Sequence, residues 1–490
     1  MNYYSIVAII LYLIILILIG YHSYRKTHDI SGYMLGNRSL GPIVTALSAG
    51  ASDMSGWMLM GLPGAVYVTG ISSIWLGVGL TIGAYFNYRL LAPRFRIYTE
   101  ISNNSLTVPD YLENRFKDNN NILRLVSGII ILVFFTLYVS SGIVAGGKLF
   151  KNLFGLTYTS GVIATISIVV LYTYFGGFLA VSLTDFFQGT LMFVALILVP
   201  LVTYMNIGVD PSTFVHKVTA INPSLFDIFK GASLSTIIGF LAWGLGYFGQ
   251  PHIVVRFMAI KSAKELKSAR RIGIGWMAIG LLGAISSGIT GLVYFATKNQ
   301  TLNDPEMVFL SLGYILFHPF ITGVILTAVL AAIMSTISSQ LLVCSSSITK
   351  DFYLTFFNKK ASERTQVLVG RLSVLIVSAF AVVLAYVQNE TILNIVAHAW
   401  AGFGSSFGPV LLLSLYWKRM NKWGALSGMI LGGLTVILWI SFGLSSYLYE
   451  MIPGFTLSLI SIVTVSLLTK QPNKSVDEEF NDMEEKVNII

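Results

Sequence analysis

The stretch SAGASDMSGWMLMGLPGA, residues 48–65, lies in an apolar run long enough to cross a bilayer. It nevertheless holds Asp53, serines 48, 52 and 55, and glycines 50, 56, 61 and 64. A carboxylate at membrane depth is costly and marks a functional position by default. The competing reading is a structural carboxylate satisfied by backbone amides. Glycine and serine on both sides of Asp53 favour a break in the helix. Carbonyls freed by a break are tolerated at that depth only where they line a cavity or bind something. Such oxygen ligands suit a hard cation such as sodium.

A second interruption follows at WGLGYFGQPH, residues 243–252. Glycines 244, 246 and 249 with Pro251 cannot sustain an ordinary helix interior. Trp243, Tyr247 and Phe248 accompany them, either as a binding wall at a bent helix or as an aromatic belt at one interface. The third feature is LTAVLAAIMSTISSQLLVCSSSIT, residues 326–349. Ala328, Ala332, Ser335, Thr336 and Ser339 fall at helical spacings of three and four, so they share one small, hydroxyl-bearing face. That face serves close helix packing or, beside a broken helix, completes an oxygen cage. Of the acidic residues only Asp53 is placed deep in a span; Asp185 and Glu306 are expected at span ends or in loops.

The elements that must position these groups are membrane helices. The chain has 490 residues, 55% hydrophobic and only 11% charged, far below the charged share of soluble domains. A span needs roughly 20 apolar residues. Thirteen runs qualify: 5–22, 41–62, 68–91, 124–150, 160–181, 188–206, 233–255, 273–297, 318–348, 368–388, 395–417, 424–444 and 451–469. The first is read as a retained helix, because its basic residues follow the apolar run. With the N-terminus outside, 26 of the 31 Lys and Arg fall in cytoplasmic segments, among them Arg25, Lys26, Arg38 and the cluster from Arg256 to Arg271. The expected orientation is therefore N-out and C-in. The formal charge of +9 reflects this bias and does not imply nucleic acid.

The two interruptions lie five spans apart, and five-helix repeats point in opposite directions because five is odd. Spans 2–6 and 7–11 can form an inverted pair with a site between them. A single transmembrane unit is expected over residues 1–470, its core about 41–417. A polar, acidic, solvated and partly disordered cytoplasmic tail is expected over 471–490. The one cysteine, Cys344, precludes an intrachain disulfide, and six dispersed histidines (22, 28, 216, 252, 318 and 398) argue against a clustered metal site. His252 and His398 read as packing or helix-end residues. No P-loop, HExxH or CxxC motif occurs, so an enzyme or a domain-bearing sensor is disfavoured, and paired breaks favour a gated site over an open channel.

The stretches LGNRSLGPIVTALSAGASDMSGWMLMGLPGAVY, FFTLYVSSGIVAGGKLF, GGFLAVSLTDFFQG, WGLGYFGQPHIVVRFMA, LAAIMSTISSQLLVCSSSITKD and AHAWAGFGSSFGPVLLLSLYWKRM closely resemble the solute:sodium symporter family, over about residues 5–469. The resemblance implies an all-α integral membrane fold of 13 transmembrane helices with a leucine-transporter-like core. It implies sodium as coupling ion, held by carbonyls of Ala51, Met54 and Ala332 and hydroxyls of Ser335 and Thr336, with Asp53 and Asp185 linked to the ion. Ser55, Gly56 and Trp57, with Tyr138, Trp243, Tyr247 and Pro251 opposite, match the substrate side. Arg38 matches a gate at the cytoplasmic end of the second span. The implied substrate is L-proline, imported across the cell membrane; pantothenate or a monocarboxylate are alternatives. Lys148 and the tail differ from the expected pattern, but both are placed away from the site.

Overall fold

The computed structural model describes residues 2–25, 29–230, 232–387 and 390–489. Lys26, His28 and the end of the 368–388 run lie outside them. Among the described residues there are helices and no strands, apart from one isolated bridge between Leu40 and Ile260. Ten helices are long and apolar enough to cross a membrane, with three shorter apolar helices at Tyr158–Tyr174, Leu234–Gly249 and Pro305–Leu316. The expected runs missing from the ten are 41–62, 160–181 and 233–255. Two of these are the interrupted segments, and interruption is what removes them from a count of continuous helices.

Pro319–Phe357 and Ile392–Tyr416 are the most deeply buried of the ten, while Tyr3–Ser23 and Met451–Leu468 lie at the edge. Large apolar side chains on the periphery, such as Leu18, Ile163, Phe380 and Val383, are exposed. In water this surface would be a liability; facing acyl chains it is the appropriate surface.

Breaks in the helices decide where polar groups go. One is at Gly177 (φ 60°, ψ −168°), a conformation L residues rarely adopt. The sequence reading put a connection between residues 181 and 188. Instead the helix runs on through SLTDFF, which has no Gly or Pro to stop it, and Asp185 sits eight residues into the segment Gly177–Ile207, completely buried. Asp185 is therefore not a span-end residue. The break at Trp243–Gly249 is nested by glycine: a Cβ on Gly83 would lie 2.2 Å from the carbonyl oxygen of Gly244, so the helix Ile74–Phe86 touches the interrupted backbone directly.

The disordered tail is also corrected. Lys474–Asn488 is a helix. Val476, Phe480 and Met483, at spacings of four and three, form its buried face. Phe480 meets Tyr98 edge-on at 6.3 Å and lies under the Arg115 guanidinium at 5.4 Å. Glu306 stands, as expected, at an end, that of the short apolar helix Pro305–Leu316, and is buried there: Lys148 pairs with it, and it accepts the Ile392 N–H at 2.8 Å.

Candidate functional site

The helix Pro42–Asp53 stops at Met54 (ψ 76°), and the chain resumes through Trp57–Gly61 into Leu62–Thr69. In an unbroken helix the Ala51 carbonyl would accept from the Ser55 N–H. Here Ser55 N–H donates to the Asp53 carbonyl at 2.9 Å, and the Ala51 oxygen is released. It accepts instead from Ser335 Oγ at 2.7 Å and Thr336 Oγ1 at 3.5 Å. Both hydroxyls also reach the Ala332 carbonyl, at 3.2 and 3.3 Å. Four neutral oxygens from two helices thus converge, and all four residues are buried. Hydroxyls can rotate to turn lone pairs inward, so this donor set fits a sodium ion. Met54 is buried at the stop itself, so its carbonyl belongs to the same interrupted turn.

The Asp53 carboxylate points to the second interruption. Tyr247 OH donates to one oxygen, and the other is buried without a hydrogen-bond partner. Trp57 Nε1 and Tyr138 OH donate to the Asp53 carbonyl at 3.0 and 3.3 Å. The second interruption runs from Leu234–Ala242 through a tight turn Trp243–Gly249 to Pro251–Ala259. Trp243 lies 6.1 Å from Trp57, ring centre to ring centre. Gly56 abuts Ala145 and Ile333, and Ser55 is buried beside it.

The structure therefore brings Asp53, Trp57, Tyr138, Trp243 and Tyr247 together. Pro251 is not among them: it starts the next helix and lines a separate small cavity with Leu106, Phe178 and Asp351.

Two residues escaped the sequence reading. Trp400 meets Tyr247 edge-on at 5.1 Å, stacks on Trp243 at 6.2 Å and donates Nε1–H to the Trp243 carbonyl at 2.8 Å. It thereby ties its own helix to the start of the second interruption; its proximity in sequence to His398 was the only available signal. Arg256 had been counted with the cytoplasmic basic cluster. It is fully buried, with Nη2 3.1 Å from Asp185 Oδ2 and Nε 3.1 Å from Ser48 Oγ, and Nη2 also donates to Ser339 Oγ. Ser48 precedes Ala51 by three residues and Ser339 follows Ser335 by four, so this network lies one helical turn from the oxygen cage. His252, on the same helix as Arg256, is a buried packing residue edge-on to Phe135 at 5.4 Å.

A cavity enters the bundle from one end, and the opposite end is tied by hydrogen bonds. A cavity of about 490 Å³, lined by Phe240, Leu393, His398, Tyr449 and Glu450, reaches Trp243. At the opposite end Arg38 donates to the carbonyls of Met258 (2.7 Å) and Ser105 (2.9 Å), to Thr99 Oγ1 (3.3 Å) and to Asn104 Oδ1 (3.1 Å). Arg96 Nε donates to the Ile260 carbonyl at 2.7 Å, and Leu40 pairs with the same strip through Leu40 N–H to Ala259 O, 3.2 Å.

Two interrupted helices meeting at a buried cluster of oxygens and aromatic rings are the architecture of a secondary transporter rather than of an enzyme. The chain belongs to the sodium:solute symporter family, whose profile matches residues 33–432, and sodium is accordingly its coupling ion. It is 58% identical over 470 residues to the high-affinity proline transporter PutP of Bacillus subtilis (96% of this chain, 99% of the relative). It is 56% identical over 481 residues to the osmoregulated proline transporter OpuE of the same organism (98% of each). A sodium/proline symporter of Staphylococcus aureus is 52% identical over 495 residues (98% of this chain, 96% of the relative). In fold it is similar to a sodium-coupled sialic acid symporter in a substrate-bound outward-open state, at TM-score 0.82 and 19% identity, covering 96% of this chain and 99% of that one.

Proposed function

We propose that this protein imports L-proline with sodium by alternating access. The observation that carries the reading is the direct link between two interruptions: Asp53, two residues beyond the ion-binding carbonyl of Ala51, is bonded to Tyr247 in the aromatic wall. The near full-length relatives named as proline transporters supply the substrate.

Proline is a zwitterion with a compact apolar ring. Trp57, Tyr138, Trp243 and Tyr247 give a ring enclosure, and the amides of the interrupted segment around Ser55 and Gly56 take its carboxylate. Sodium bound by Ala51, Met54, Ala332, Ser335 and Thr336 holds the broken helix against Pro319–Ser346 and so shapes the wall that proline meets. Each ligand then favours the other, as reciprocal coupling requires. Asp53 supplies negative charge near the ion and ties it to the aromatic side; Asp185 lies on the ion's route.

The same reading takes the interrupted segments and Tyr158–Tyr174 as crossings, which gives thirteen, N-out and C-in, with spans 2–6 and 7–11 as inverted repeats. Residues 1–470 form one transport unit with core 41–417, and 471–490 form a cytoplasmic tail. The 490 Å³ cavity then faces outward and Arg38 closes the cytoplasmic side. The test is uptake of a labelled panel, including pantothenate and monocarboxylates, into proteoliposomes with and without an inward sodium gradient. Proline should accumulate only with the gradient; accumulation of another solute in its place overturns the substrate and leaves the family intact.

A further inference from the structure

A cavity of about 330 Å³ lies at the end of the bundle that carries the basic segments, apart from the ion and ring site. Lys117, Lys422 and Lys470 line it with Asn119, Asn120, Asn421 and Asn473. Lys117 pairs with Glu479, and Lys422 lies 3.5 Å from Asp118 Oδ1. The Lys470 ammonium has no ion pair or hydrogen bond among the described residues, so three lysines face two carboxylates and one positive charge is left uncommitted. Amide N–H groups and a lysine point charge are donors suited to a phosphate.

Trp423, which lines the cavity and is 44% exposed, stands at the start of Lys422–Ser441, and Leu468, two residues before Lys470 and 80% exposed, ends Met451–Leu468; both helices are of membrane-spanning length. Lys422 lies 4.9 Å over the Trp423 ring. A polar cup beside an exposed tryptophan and leucine matches a ligand with an anionic head and apolar tails. A soluble phosphate would make no use of those two side chains.

We propose that this cup binds the headgroup of an anionic phospholipid of the phosphatidylglycerol type, with its acyl chains along Trp423 and Leu468. Basic pockets between transmembrane helices on the cytoplasmic side are suited to such headgroups. Asn473 opens the C-terminal helix, so a bound lipid also anchors that helix. The inference rests on the membrane-spanning reading and is independent of which solute is carried.

The test uses the purified full chain in detergent, titrated with short-chain phosphatidylglycerol, phosphatidylcholine of the same chain length, and glycerol 3-phosphate. Binding is read by calorimetry and by the shift of the melting midpoint. Phosphatidylglycerol should bind and stabilise, and the other two should not. Lys470→Gln, which breaks no contact within the protein, should weaken binding about fivefold, and Lys422→Gln with Lys470→Gln more than tenfold. Lys470→Arg should retain it. Equal binding of phosphatidylcholine, equally tight binding of glycerol 3-phosphate, or undiminished phosphatidylglycerol affinity in Lys470→Gln each overturns the assignment. Lost proline uptake with intact phosphatidylglycerol binding would count against the transport reading alone.

Discussion

At the scale of single residues, the oxygen cage and the buried charges make separable predictions. On the proposed reading, removing a hydroxyl from Ser335 or Thr336 takes an oxygen from the ion and leaves the ring wall in place. Each alanine variant should raise the sodium concentration for half-maximal uptake roughly tenfold, in line with about 1–2 kcal/mol for a lost polar contact. The proline concentration for half-maximal uptake at saturating sodium should change little. Equal loss at every sodium concentration would assign these residues to packing instead.

Asp53→Asn keeps the shape but removes the charge, and should nearly abolish sodium-driven uptake with the protein still in the membrane; normal sodium affinity in that variant would remove Asp53 from the ion's environment. Arg256 and Asp185 form a buried pair, and breaking such a pair from one side costs more than removing both charges. Arg256→Gln should lower the melting midpoint markedly, and Arg256→Gln with Asp185→Asn should restore part of it. Two additive losses would show that the contact is not a coupled pair.

At the scale of elements, interruption is the device that puts backbone to use. A helix bonds its own carbonyls; only where it stops are they free for a ligand. The first break frees the Ala51 carbonyl for the hydroxyls of Ser335 and Thr336, and at the second the Trp243 carbonyl accepts from Trp400. The breaks need close neighbours. Gly83 has no room for a Cβ against Gly244, and the obstacle is backbone, which cannot swing aside. Gly83→Ala should therefore cut folded yield and melting midpoint with no change in sodium dependence of the protein that remains. Trp243→Ala should do the opposite: the fold persists and proline affinity falls, measured by competition at saturating sodium. An interfacial role for Trp243 would leave proline affinity unchanged and reduce insertion.

At the scale of the whole molecule, a cavity runs from one end of the bundle to Trp243 while Arg38 and Arg96 pin the other end. Arg38 joins the start of the broken helix to Met258 and Ser105, so it ties the first interruption to the second at their shared end. Arg38→Ala should shift the population toward the opposite-facing state. A cysteine placed at Leu106, behind this closure, in a chain lacking Cys344, should then react several-fold faster with an impermeant maleimide added from the cytoplasmic side. An unchanged rate would mean that Arg38 does not hold the closure.

The membrane class, the broken segments and the small hydroxyl face were legible in the chain, because each is a local signal: apolar length, glycine and proline against a helical pattern, and period. Ser335 and Thr336 stand out in the sequence for that reason, as do Asp53, Trp243 and Tyr247. Asp185 and Arg256 were misplaced because hydropathy cannot tell a buried ion pair from a span end, and a positive-inside count assigns every arginine to a loop. The tail helix was read as disordered because its few apolar residues hold a fold only against Tyr98 and Arg115 of another segment. Which partner satisfies a buried charge, a freed carbonyl or a narrow apolar stripe depends on groups far apart in the chain, and only tertiary packing decides it.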